Sequence, residues 1–368
     1  MKGLKLDQVF DPRNNALNAW RLTLATGVIL EHAYEFTRHP VPGGQFLEWW
    51  VDGFFAISGF LITGSWLNKP KARTYFAARA LRIFPGLWVC LIVIAFIFAP
   101  ATGTVTLPSQ IRFVLIHATL LPFPQDIDGT PANHFQVWDG SLWTLPFEAL
   151  FYALVAGLGI VGLLNRWFIS VALAAALAWS ALLPPGSFFG NLMVNAQPIT
   201  PAIFALLIQA VTSRLLAMFL AGALLYQFRN KIPANWTLVA VSTVIVAVSM
   251  LMPDYHLLGA IPLAYVLIVS GAVIRHKRLQ FHTDLSYGVY IYAFPLQQLL
   301  LMVGLISAHP LLFTAISVVV TLPVAALSWF LVEKPALALK SRLKRGDAPV
   351  ESAPDVLSEA FDIDPKAT

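Results

Sequence analysis

The sequence predicts an all-α, polytopic membrane protein with about ten transmembrane helices and both termini on the cytoplasmic side. Three observations lead there. Of the 368 residues, 58% are hydrophobic and only 12% are charged, against about 25% charged in an average soluble domain. Mean hydropathy is +0.71, and ten apolar runs reach the roughly 17–25 residues needed to cross a bilayer. Lysine and arginine then fall almost wholly on alternate sides of those runs.

The runs lie near 16–36, 49–67, 83–100, 141–164, 167–183, 211–228, 236–252, 257–274, 287–306 and 311–332. The stretch before the first, MKGLKLDQVFDPRNN, is too polar for a secretory h-region, and no small-residue cleavage site follows the run. The first helix is therefore expected to stay as a start-transfer segment. Segment 109–121, SQIRFVLIHATLL, is too short to span and reads as an interfacial or re-entrant helix in a long loop. Segment 199–210 is apolar and Pro-flanked, and either extends the sixth span or forms a separate short helix. The folded membrane domain is expected over 1–345. The tail 346–368 is acidic and Pro/Ala-rich with few aromatics, and is expected to be a disordered cytoplasmic tail.

Orientation follows from charge. With the N-terminus inside, 20 of the 24 Lys and Arg residues fall in the inside segments. Arg38 and Arg112 fall outside, and Arg21 and Arg214 lie within spans. An odd number of spans would scramble this split.

The candidate functional residues are ionisable groups in apolar surroundings, which usually face a protein interior or a water-filled cavity. Arg21 and His32 lie eleven residues apart in ALNAWRLTLATGVILEHAYEF. On a helix that is about 1100°, three turns plus 20°, so both share one face with about 16 Å between them. Such a face connects one side of a membrane to the other. Anchoring at the interface is the plainer reading of His32 alone, and the aligned Arg21 argues against it. Glu35, at i+3, is placed to orient the His32 ring. Neutral imidazole can act as a base.

Glu148, in GSLWTLPFEALFYAL, lies seven residues into the fourth span, about 10 Å from its outer end and in the same half as His32. Two readings stand for it: a structural partner between helices, or catalysis. Asp52 opens the second span and reads as a cap for its N-terminus. Arg79 and Arg82 share a helix face at the inner surface, where paired guanidiniums make either a phosphate clamp or ordinary positive-inside charge. Arg214 is expected to pair with a loop carboxylate.

Other chemistries lack support. No GxxxxGK[ST], HExxH, GxSxG or CxxC pattern is present, which argues against nucleotide hydrolysis, zinc proteolysis and a serine-hydrolase elbow. The single cysteine, Cys90, lies in an apolar run. No extended basic-aromatic surface suggests a nucleic-acid partner.

Six motifs in order give a resemblance. They are Arg21 and His32 with ten residues between them, VDGFFAISGFLIT at 51–63, Arg79 and Arg82 followed by IFPGLW, GSLWTLPFEALFY at 140–152, LSYGVYIYAFP at 285–295, and VEKP at 332–335. Over about 13–336 the chain resembles the acyltransferase 3 family of integral-membrane acyltransferases. The resemblance implies about ten helices in the cell inner membrane. It implies transfer of an acyl group, commonly acetyl from acetyl-CoA, to a carbohydrate hydroxyl across the membrane. The implied partners are acyl-CoA, a glycan acceptor and membrane lipid, with no metal. It makes Arg21 and His32 the essential pair and matches Arg79 and Arg82 to the family's RxxR motif. Ala293 stands where many members carry histidine, and no extracytoplasmic SGNH-type domain is expected. On this reading His32 and Glu148 are the catalytic candidates, and Arg21, Arg79 and Arg82 face the donor. A secondary transporter, or a glycan-export component without catalysis, is the alternative from another class; a transporter would favour paired Gly/Pro-broken helices in two repeated halves, and no internal repeat is evident.

Overall fold

A computed structural model describes residues 3–40, 49–131, 135–186, 188, 200–281, 283–305 and 309–345. The expected tail 346–368 lies outside these. The helices are α1 (Leu17–Phe36), α2 (Trp49–Asn68), α3 (Ala72–Val93), α4 (Leu107–His117), α5 (Leu145–Ile160), α6 (Arg166–Ala181), α7 (Pro201–Gln227), α8 (Trp236–Ser249), α9 (His256–Val273), α10 (Ser286–Met302), α11 (Pro310–Ser328) and α12 (Lys334–Arg345). Among the described residues there is no strand.

Among the described residues, six helices are long and apolar enough to cross a membrane: Trp49–Asn68, Ala72–Thr102, Gly140–Ile160, Pro201–Gln227, His256–Val273 and Pro310–Leu339. Helices α6 and α8 are apolar but shorter. Helix α1 has the length, at 20 residues, but carries Arg21, Glu31, His32 and Glu35. Helix α10 has 17 residues. These last two both contribute residues to the site described below.

Three boundaries differ from the sequence reading. The third span was placed at 83–100 because Arg73, Arg79 and Arg82 interrupt the apolar run. The helix instead begins at Ala72 and continues through a π-helical turn, Ile94–Phe98, to Thr102. Arg79 and Arg82 therefore sit inside a continuous helix rather than in a segment before it. The Pro-flanked segment 199–210 extends the sixth span, since Pro201 occupies the first turn of α7, where its missing N–H costs nothing. The last span runs on through a second π-helical turn, Trp329–Glu333, into α12. The loop segment expected to be too short to span forms α4, with 11 residues.

Pairings fix helix direction. Arg21 meets Asp284 at one end of α10, and His32 packs on Phe294 farther along it, so α1 and α10 run the same way. Helices α2 and α7 also run together, with Asp52 against Arg214 near one end and Gly64 against Tyr226 near the other. Their backbones touch between these points. A Cβ on Gly59 would lie 1.9 Å from the Phe219 carbonyl oxygen, and one on Gly222 would lie 1.8 Å from that of Ala56. Small residues allow such close crossings in membrane helices. Gly59→Leu is expected to separate the helices and destabilise the protein by at least the roughly 1–3 kcal/mol typical of overpacking. A fall in thermal midpoint of the purified protein in nanodiscs, relative to Gly157→Leu, is the measure; Gly157 has open space around it.

Candidate functional site

A cavity of about 270 Å³ opens among seven helical segments. Helix α1 contributes Arg21, α2 contributes Phe54 and Ser58, and α3 contributes Arg79 and Arg82. Thr144, Glu148 and Tyr152 enter from the 3-10 turn Gly140–Thr144 and from α5. Ser286, Tyr287 and Tyr290 come from α10, and Leu337 from α12. The structure thus brings Arg21, Arg79, Arg82 and Glu148 to one space.

One end is an ion-pair network. Arg21 donates from Nη1 to Asp284 Oδ2, and Arg82 Nη2 reaches the same oxygen at 2.7 Å. Arg82 Nη1 lies 3.3 Å from Glu333 Oε2, and Ser328 Oγ donates to Glu333 Oε1 at 2.9 Å. Asp284 Oδ1 accepts from the Ser286 backbone N–H at 3.2 Å and its hydroxyl at 2.5 Å. Asp284 lies just before α10. Burial alone would raise its carboxyl pKa, but Arg21 and Arg82, with the Ser286 bonds, hold it at about 2 against the ordinary 3.8. A depressed carboxylate adds stability above its unfolded pKa and loses it only as pH falls through the folded value. The Asp284 carboxylate therefore stays ionised throughout the neutral range.

Arg79 is held differently. Its guanidinium stacks 3.6 Å from the Tyr75 ring centroid, and Nη1 donates to the Tyr75 carbonyl at 2.7 Å. Its Nε is buried without a hydrogen-bond partner among the described residues. Tyr75 is itself fixed by donating to the Tyr152 carbonyl at 3.0 Å. Tyr152 also donates to Glu148, one turn back along α5. Arg79, Tyr152 and Glu148 thus form a second polar group in the same cavity.

At the far end, the Tyr290 hydroxyl lies 2.7 Å from Thr144 Oγ1 and donates to the Ser141 carbonyl at 2.9 Å. His32 does not line the cavity. Its ring packs edge-on against Phe294, 4.9 Å between centroids, one turn beyond Tyr290 on α10. Gly140 leaves the room that the Phe294 ring fills, since a Cβ there would come within 2.6 Å of it. His32 Nδ1 is buried without a partner among the described residues, so Glu35 does not orient the ring through that atom as the spacing suggested. The shared face of Arg21 and His32 does form: both side chains meet α10.

One expectation outside the cavity is corrected. Asp52 does not cap α2. It is the fourth residue of that helix, fully buried, and pairs with Arg214 Nε at 3.1 Å while accepting from the Tyr255 hydroxyl. Arg214 sits midway along α7 and, among the described residues, meets this carboxylate of α2. A buried charge needs a partner, and each supplies the other's. Among the described residues no cluster of His, Cys, Asp or Glu could hold a metal.

Sequence reasoning missed Asp284 and Tyr152 as site residues and left Glu333 without a role. Tyr152 carried a signal, because it stands at i+4 from Glu148 and so on the same helix face. Asp284 two residues before a serine looks like an ordinary turn, which it also makes.

A family model for an acyltransferase domain, that of the acyltransferase 3 family, matches residues 14–330. The chain belongs to the acyltransferase 3 family. It is therefore a membrane acyltransferase. The chain is 28% identical over 364 residues to Nodulation protein 10 of Rhizobium leguminosarum bv. viciae, covering 90% of this chain and 95% of that one. It is also 28% identical over 348 residues to the O-acetyl transferase of Shigella phage Sf6, covering 89% and 98%. No solved structure matches the chain significantly.

Proposed function

We propose that this acyltransferase moves an acyl group, acetyl in the first instance, from cytoplasmic acyl-CoA to a carbohydrate hydroxyl of an exopolysaccharide, lipopolysaccharide or related glycan beyond the cell inner membrane. The observation that carries this reading is one cavity lined by three guanidiniums, Arg21, Arg79 and Arg82, and reaching Tyr290, one turn before the Phe294 ring that packs on His32. Arginine binds phosphate strongly and in a fixed geometry. Arg82 commits two of its N–H groups to carboxylates and Arg79 one to a carbonyl, so both keep donors for phosphate oxygens. The volume of about 270 Å³ sits just below the usual ~300–1,000 Å³ of ligand pockets and suits the slender thioester arm of the donor. The O-acetyl transferase similarity favours acetyl.

In this mechanism the donor's phosphates lie near Arg79 and Arg82, and its arm runs along the α1 face from Arg21 toward His32. His32 takes the proton of the sugar hydroxyl as it attacks the thioester carbonyl, the C–S bond breaks and the CoA thiolate leaves, taking up that proton; or His32 itself attacks the thioester, expels the CoA thiolate, and passes the acyl group on to the sugar hydroxyl. Glu148 orients or reprotonates. Phe294 lies between the cavity end and His32 and must turn aside for the arm to pass. Adding acetyl-CoA to the purified protein with a crude surface-glycan acceptor is expected to release CoA and label the glycan. Release of CoA without any labelled glycan or protein would reject acyl transfer. A protein that instead moves labelled solute across proteoliposomes would be a transporter.

The topology belongs to the same reading: ten spans with N-in and C-in. The common direction of α1 and α10, and of α2 and α7, agrees with alternating spans. In a Cys90→Ala background, Thr104→Cys is expected to react with an impermeant maleimide in intact spheroplasts, and Lys277→Cys only after lysis. Both positions are exposed. Outside labelling at 277 would overturn the arrangement.

A further inference from the structure

Asp284 accepts hydrogen bonds that originate on three separate segments: Arg21 on α1, Arg82 on α3 and Ser286 at the start of α10. It is the carboxylate hydrogen-bonded to Arg21 among the described residues. One oxygen holds both guanidiniums, and the other is locked by the Ser286 N–H and hydroxyl. We propose that Asp284 is a positioning residue of the acyl-transfer site, a clasp that fixes Arg21 and Arg82 side by side at the cavity end and so sets where the donor's anionic groups bind. This rests on acyl-CoA as the donor.

The geometry separates this role from simple charge balance. Remove Asp284, and Arg82 still has Glu333 at 3.3 Å. Arg21 loses its carboxylate and regains the rotamers of a long side chain, an entropy cost the donor must then meet. A positioning carboxylate therefore helps donor binding. A carboxylate that only neutralised the two arginines would compete with phosphate, and its loss would tighten binding. The two roles predict opposite signs.

The test measures acetyl-CoA binding to the full-length protein in nanodiscs. Asp284→Asn keeps the shape and removes the charge. It is expected to weaken binding about tenfold or more, as expected for loss of charge-assisted bonds. The effect should be shared with Arg21: the Asp284→Asn/Arg21→Ala double variant should bind within about twofold of Arg21→Ala, because contacting residues couple. A merely structural aspartate would not show that coupling. Ser286→Ala keeps the charge and removes the hydroxyl that orients it, and is expected to weaken binding about threefold. It carries the test if Asp284→Asn does not fold. Unchanged or tighter binding in Asp284→Asn, or additive losses with Arg21→Ala, would overturn the proposal; so would unchanged binding in Ser286→Ala where that variant stands alone. No acetyl-CoA binding by the unaltered protein would overturn the donor reading, and this proposal with it.

Discussion

His32→Ala is expected to abolish detectable glycan acylation while expression, membrane insertion and acetyl-CoA binding persist. Two facts carry the expectation. The His32 ring packs on Phe294, one turn beyond the cavity-lining Tyr290. Its Nδ1 is buried and makes no hydrogen bond among the described residues, so that nitrogen is not spent on holding helices together. A hydroxyl nucleophile needs a proton acceptor, and loss of a general base typically costs about 10²–10⁴-fold in rate. Donor binding should survive because the guanidiniums lie at the opposite end. His32→Gln repeats the test with a side chain of closer volume, which keeps the packing against Phe294 and Phe36. If either folded variant kept a tenth of the original turnover, His32 would be a packing residue and Glu148 the leading base. Single-turnover reaction with labelled acetyl-CoA and no acceptor separates the two routes through His32. Label on the protein means an acyl-histidine, and none means direct transfer.

Arg82→Ala and Arg79→Ala should fail in different ways, although the two residues stand in one short motif. Arg82→Ala leaves Glu333 with no cation among the described residues and Asp284 with Arg21 alone; their side chains are 1% and 12% exposed. Breaking a buried ion pair from one side typically costs about 3–5 kcal/mol. The expected result is a large fall in thermal midpoint and in yield. Arg79→Ala breaks a bond to a carbonyl and a stack on Tyr75, and leaves no carboxylate without a hydrogen-bonded partner. It is expected to fold and to raise the apparent KM for acyl-CoA, about tenfold or more, well beyond any change for the acceptor. Arg79→Lys should recover little of this, since an ammonium replaces the planar fork poorly. Equal stability losses in the two alanine variants would mean that Arg79 is also structural. An unchanged donor KM in Arg79→Ala would make it a plain topology signal.

Several parts of this protein were legible along the chain. The all-α membrane class follows from composition, because an apolar helix satisfies its own backbone where no water can. The shared face of Arg21 and His32 follows from helical period alone, and both do meet α10. Family membership followed from six motifs in order, which no single motif could carry. The extension of α7 back to Pro201 was one of two readings left open by a proline that suits a first turn.

Tertiary structure decided the rest, for one physical reason. In an apolar medium a charge is tolerated only where another chain segment answers it, and sequence spacing does not name that segment. Thus Arg79 and Arg82, which by hydropathy end a span, continue the helix because Asp284, Glu333 and Tyr75 receive them. Asp52, which by position caps a helix, is buried because Arg214 and Tyr255 reach it from α7 and the approach to α9. His32, aligned with Arg21 by period, stands apart from the cavity because Phe294 fills the space between, which no periodicity records. The sequence by itself determined which residues are costly to keep in a membrane; the fold decided which of them offset one another and which are left over for chemistry.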